Sequence, residues 1–258
     1  MSVTTVGTPP RLAFVQTVSD SIMFLYRHRK RFIPLVMALA VVLSLLQPLF
    51  GQVASDDVRV ALICLVHQAV YACLAYAWCR LVLLGEWVFD GRGLQVPFNW
   101  TQFRGFACYY VLICFGILTL AAVLAIALAP TLGLTVGAIL SGLFFTLLIA
   151  RLSFVLPATA IQLPTSFLES WDQTTGLGVR LWSIYASALF PAAAILVVVG
   201  LVLSHLPAST AFTIPLWFVT WCVVLTALLS VVTMISIAYE RIVGLPARAR
   251  RLDRLVGE

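Results

Sequence analysis

The amino-acid sequence predicts an all-α polytopic membrane protein, with six transmembrane helices arranged as three helical hairpins and short interfacial helices beside them. Three observations predict it. Of 258 residues, 62% are hydrophobic and only 10% charged, against roughly 25% charged in an ordinary soluble domain. A chain of this length cannot hide so much apolar surface in its own core, so lipid must supply the rest. Second, six apolar runs are long enough to span, since a helix needs roughly 20 residues to cross a hydrocarbon core of about 30 Å. Third, the basic residues fall on alternate connections, as an even number of crossings requires.

The spans are placed at Phe32 to Phe50, Val58 to Leu84, Phe106 to Ala129, Leu132 to Leu156, Leu181 to Leu203 and Phe212 to Ala238. Helix is forced on them, because backbone groups facing lipid have no water to bond and the runs lack the alternation of a barrel strand. Residues 1–31 form an amphipathic N-terminal segment, 32–243 the membrane domain and 244–258 a basic tail. Arg11, Arg27, Arg29, Lys30 and Arg31 precede the first span. Arg80, Arg92 and Arg104 flank the second connection, Arg151 and Arg180 the fourth, and Arg241, Arg248, Arg250, Arg251 and Arg254 follow the last span. Arg59, beside Asp56 and Asp57, is the one basic residue on the other side. This bias places both termini in the cytoplasm, with the bacterial inner membrane as the expected location. The first span is read as a retained anchor, being longer than a secretory signal and lacking a cleavage site before Ser55.

Short connections are expected at Gly51 to Asp57, Pro130 to Thr131 and Ser204 to Ala211. Each hairpin returns with a related ending, built around Arg80, Arg151 and Arg241, and each outgoing helix starts with an arginine and an aromatic, Arg31 with Phe32, Arg104 with Phe106 and Arg180 with Trp182. A threefold repeat predicts this, and so does the general preference of helix ends for arginine and aromatics. Pro10 to Tyr26 places Leu12, Phe14, Val15, Val18, Ile22 and Leu25 at near-helical spacing, which predicts a helix lying in the headgroup region. After Pro164, Ser166 and Glu169 fit a capping box. The helix they start would put Phe167, Leu168 and Trp171 in the interface, leave Glu169, Asp172 and Gln173 wet, and end at Gly176 and Gly178. Ala121, Ala125 and Ala129, facing Gly133, Gly137 and Ser141, predict close packing of spans three and four.

Candidate chemistry is sparse. Cys64, Cys73, Cys79, Cys108, Cys114 and Cys222 all fall within spans without Cys-x-x-Cys spacing and read as packing residues. His67, beside Gln68, is the one titratable group well inside a span and reads as a hydrogen bonder between helices. His28, His67 and His205 are too scattered for a metal site, and no zinc, nucleophile-elbow, phosphate-loop or dinucleotide motif occurs. No cofactor is expected. A pI near 9.2 does not imply nucleic acid, because basic flanks already serve topology and meet an anionic leaflet. Arg80, Arg151 and Arg241 are the candidate functional set. They are expected either to snorkel or to converge on a lipid phosphate or an ion pair with Glu86 or Glu240.

The stretches Arg80 to Glu86, Ala150 to Ala158 and Ser170 to Gly176 resemble uncharacterised bacterial six-helix inner-membrane proteins. More distantly, they resemble the membrane domain fused to some glycerophosphodiester phosphodiesterases. The likeness covers spans two to five and implies six helices without a particular activity, since no long polar segment remains to form the soluble enzyme domain. The function expected is a non-enzymatic membrane scaffold or lipid-interacting component. Its expected partners are membrane lipids, anionic ones included, and an unspecified membrane protein. The alternative is a small transporter or permease component with helices broken at Pro191 or Pro215. A membrane enzyme would need a pocket gathering Glu86, Glu169 and Asp172.

Overall fold

The computed structural model describes residues 13–53, 56–85, 100–163, 165–205 and 210–244. Every regular element among them is helical: α1 (Phe14–Arg27), α2 (Arg29–Val53), α3 (Asp56–Leu84), α4 (Trp100–Val111), a π-helical turn (Leu112–Gly116), α5 (Ile117–Leu132), α6 (Leu134–Leu152), α7 (Val155–Ala160), α8 (Phe167–Gln173), α9 (Gly178–His205) and α10 (Thr210–Val243). Among the described residues, five stretches are long and apolar enough to cross a bilayer: Leu62–Leu84, Trp100–Thr131, Ile139–Ala160, Gly178–Val202 and Ile214–Val243. The chain is an all-α polytopic membrane protein. The remaining expected span, Phe32 to Phe50, lies within α2, whose 25 residues reach about 37 Å. Residues 1–12, 86–99 and the basic tail from 245 onward lie outside the described residues.

α10 is the axis of the bundle, packing against α1, α2, α3 and α9. The three hairpins differ. α5 and α6 form the closest pair, whereas α2 and α3 each meet α10 more extensively than they meet each other. The first hairpin is therefore splayed astride α10. Small residues explain the tight second hairpin: a Cβ on Gly137 would sit 3.0 Å from the Ala125 carbonyl oxygen and 3.6 Å from the Ala129 nitrogen. Helices in lipid cohere through such close van der Waals contact, because lipid gives them no hydrophobic reason to associate. Gly133 does not join that face. It holds φ +79° between α5 and α6 and forms the turn itself, while Pro130 and Thr131, the expected turn, lie inside α5.

Two buried clusters fill the bundle. One gathers Trp78, Phe106, Leu43, Leu225 and Leu229; the other Phe154, Leu181, Ile184, Tyr239 and Ala238. Polar stitches link α3 to α10 across them, with Trp78 Nε1 donating to Thr233 Oγ1 at 2.8 Å and Ser236 Oγ to Cys79 Sγ at 3.6 Å.

The two surface helices form where expected but turn differently. α1 buries Thr17 and Ser21 against the bundle and leaves Val15 and Ile22 exposed. Small hydroxyl residues allow close approach to α10, and the apolar face is free for lipid. In α8, the Ser166 backbone N–H donates to Glu169 Oε2 at 2.8 Å and the Glu169 N–H to Ser166 Oγ at 3.2 Å, completing the capping box. Phe167 turns inward onto Tyr109, ring centroids 5.1 Å apart, instead of entering the interface. Gln173, expected to be wet, has a buried Oε1.

Candidate functional site

The three arginines close the returning helices, and each grips a different segment. Arg80, in the last turns of α3, is buried. Its Nη1 donates to the Ala160 carbonyl at 3.1 Å and to Gln102 Oε1 at 3.2 Å, tying α3 to the end of α7 and the start of α4. Arg151, at the end of α6, lays its guanidinium 3.4 Å from the centroid of Trp171. Its Nη2 donates to the Trp171 carbonyl at 2.9 Å, while its own carbonyl accepts from Ser170 Oγ at 2.8 Å. Gly178 leaves room for this side chain, since a Cβ there would meet Arg151 Cδ at 3.3 Å. Arg241, near the end of α10, forms an ion pair with Asp20 and donates to Thr17 Oγ1 at 2.6 Å.

The pattern is cyclic. Arg80 of the first hairpin holds the start of the second and the α7 turn that follows it, Arg151 of the second holds α8 ahead of the third, and Arg241 of the third holds α1 ahead of the first. The three guanidiniums share no partner in these bonds, so each acts as a clamp on its own segment. Arg241 pairs with Asp20 while Glu240, its neighbour, is exposed. Glu86 lies outside the described residues. Glu169 caps α8 and is exposed with Asp172. Among the described residues no three His, Cys, Asp or Glu side chains come close enough together to hold a metal ion.

Sequence reasoning missed the cavities. One of about 260 Å³ lies inside the bundle, with the π-helical turn contributing Ile113 and Cys114, the cap of α6 Ser153, α9 Tyr185 and α10 Val232. Its buried hydroxyls satisfy each other, Tyr185 donating to Ser153 Oγ. π-turns of this kind recur at functional sites, but no proline or other local signal marks this one in the sequence. A second cavity, about 410 Å³, is a groove between α1, α9 and α10. A third, about 470 Å³, lies on the opposite flank of α1 and is bordered by Arg27, Arg241, Asp20 and Glu240. Arg241 thus fixes the helix that separates the two.

Pro191 and Pro215, where the permease alternative would break the helices, lie inside continuous α9 and α10. His67 packs through its ring, 4.3 Å from Trp221 between centroids, where a hydrogen bond between helices was expected. Ala125 and Ser141 are buried, and Ala121 and Ala129 partly so. All six cysteines are free. Comparison with known proteins gives no matching family model, and no curated protein or solved structure is significantly similar to the chain.

Proposed function

We propose that this protein is a non-enzymatic component of a bacterial inner membrane, a scaffold that works through bound lipid, with its arginine-bearing end facing the cytoplasm. The observation that carries the reading is how the candidate cations are used. Each clamp arginine is engaged with a neighbouring segment, and the interior cavity and the groove between α1, α9 and α10 have largely apolar walls, while the charged cavity beside Arg241 lies at the arginine-bearing end. Intramembrane polar or charged groups are the usual mark of an ion or polar-solute path, whereas apolar walls suit hydrocarbon chains.

The test is purification in mild detergent followed by quantitative lipid and protein analysis. Retention of at least one phospholipid per chain together with a specific copurifying membrane protein supports the reading. A lipid-free, partnerless chain that carries a solute across reconstituted vesicles overturns it. That second reading, a small permease component, is favoured by one observation: the π-helical turn interrupts a spanning helix beside the interior cavity. Solute-dependent flux abolished by filling that cavity at Ile113 would establish it.

A further inference from the structure

The groove between α1, α9 and α10 has the dimensions and polarity of a site for one phospholipid. On α10 it runs from Cys222 to Met234, about 18 Å of helix, close to the roughly 15 Å of hydrocarbon in a single leaflet. Its floor is kept open by small side chains, Ala188 and Ala192 on α9 and Ala227 on α10. Of its three hydroxyls, Thr226 is exposed and the other two are turned back on their own helices, Ser187 Oγ donating to the Ile184 carbonyl at 2.7 Å and Ser230 Oγ to the Thr226 carbonyl at 2.8 Å. Away from Thr226 the space therefore offers little to water, which needs two or more polar partners to stay in a cavity. A hydrocarbon chain is the occupant that this wall solvates.

The charge above the groove supplies the other half of the match. Helical periodicity puts Arg180, Ser187 and Pro191 of α9 within about 20° of one line along the helix. Ser187 and Pro191 line the groove, so Arg180 stands beyond its arginine-side end, about 10 Å along the axis from Ser187. Arg180 is exposed, in contrast to the buried Arg80 and the engaged Arg151 and Arg241. Its guanidinium can meet a phosphate in the bidentate manner that favours arginine for this group. α1 closes the cytoplasmic flank with Val18 and Ile22, held in place by the Arg241 clamp.

We propose that one phospholipid from the arginine-side leaflet binds here, its phosphate on Arg180 and an acyl chain in the groove. The proposal rests on the lipid-binding reading above and names its site. The probe is phosphatidylglycerol bearing a diazirine in one acyl chain, mixed into phosphatidylethanolamine vesicles holding the full chain, with adducts mapped by mass spectrometry after irradiation. Adducts should concentrate on the groove face of α9 and α10. Ala192→Phe and Ala227→Phe should abolish them there, and Arg180→Gln should weaken them roughly fivefold. Val198→Phe, on the exposed face of α9, should leave them unchanged. The proposal is overturned by adducts spread evenly over the exposed α9 face, or by groove adducts that survive both filling variants in folded protein. If lipid copurifies yet labels elsewhere, only this site falls; if no lipid is retained at all, the broader reading falls with it.

Discussion

Replacing Arg80 with Met tests whether the clamps hold the bundle together. Methionine keeps most of the apolar stem, so the change isolates the guanidinium. Hydrogen bonds from a charged donor are lost, a long one to the Tyr76 hydroxyl and two shorter ones to the Ala160 carbonyl and to Gln102 Oε1, each of the shorter two worth about 1.5–3 kcal/mol. Removing a buried charge also relieves its desolvation, which offsets part of that loss. The Ala160 carbonyl, at the end of α7, is left buried without this donor. A net destabilisation of about 3 kcal/mol follows. For a chain of this size, each kcal/mol lowers the melting temperature by about 2–4 °C, so the variant should melt about 6–12 °C lower. The assay is thermal unfolding in detergent at one fixed scan rate, followed by size-exclusion chromatography. Arg80→Lys should fall between, since one ammonium is a point donor and lacks the planar fork. Arg104→Gln, an exposed basic residue, should move by less than about 2 °C. If Arg80→Met behaves like Arg104→Gln, the clamp reasoning is wrong.

Three further outcomes follow from the geometry. Gly137→Ala pushes a methyl against the backbone of Ala125 and should cost about 1–3 kcal/mol, whereas Gly142→Ala, which meets nothing within 4 Å, should be neutral in the same melting assay. Ser166→Ala removes the capping box and should loosen α8 by about 1 kcal/mol, read as faster amide exchange across Phe167–Gln173 with α9 unchanged. Asp20→Asn should free α1 from Arg241 and speed proteolysis within Phe14–Arg27, and the refuting result is a cleavage rate equal to that of the parent.

Composition made the spans legible because the demand for apolar length and internal hydrogen bonding acts on each segment alone. The capping box of α8 was legible for the same reason: both partners lie within four residues. Neighbourhood was not. Helices apolar on every side carry no mark of which neighbour they meet, so nothing in α2 or α3 announced that α10 would lie between them. The Asp20 partner of Arg241 is 221 residues away, beyond any local pattern. α1 shows the difference most clearly. Its amphipathic period was visible, but the inward face follows from the narrow approach to α10, which selects Thr17 and Ser21 over the larger apolar residues. Pro191 and Pro215 offered breaks to the permease alternative, yet in a spanning helix neighbouring groups tolerate a missing N–H and the helix continues. The cavities arise from how whole helices diverge and leave no trace in residue spacing.

The topology proposed above, an even number of crossings with all three clamps on one side, is what the account depends on most. Single cysteines placed at positions 20, 171, 205 and 240 of a cysteine-free chain, exposed to a membrane-impermeant maleimide in sealed, oriented vesicles, test it most directly. Positions 20, 171 and 240 should react from one side and position 205 only from the other. Labelling of 20 and 240 from opposite sides, or of 205 together with 240, would contradict it.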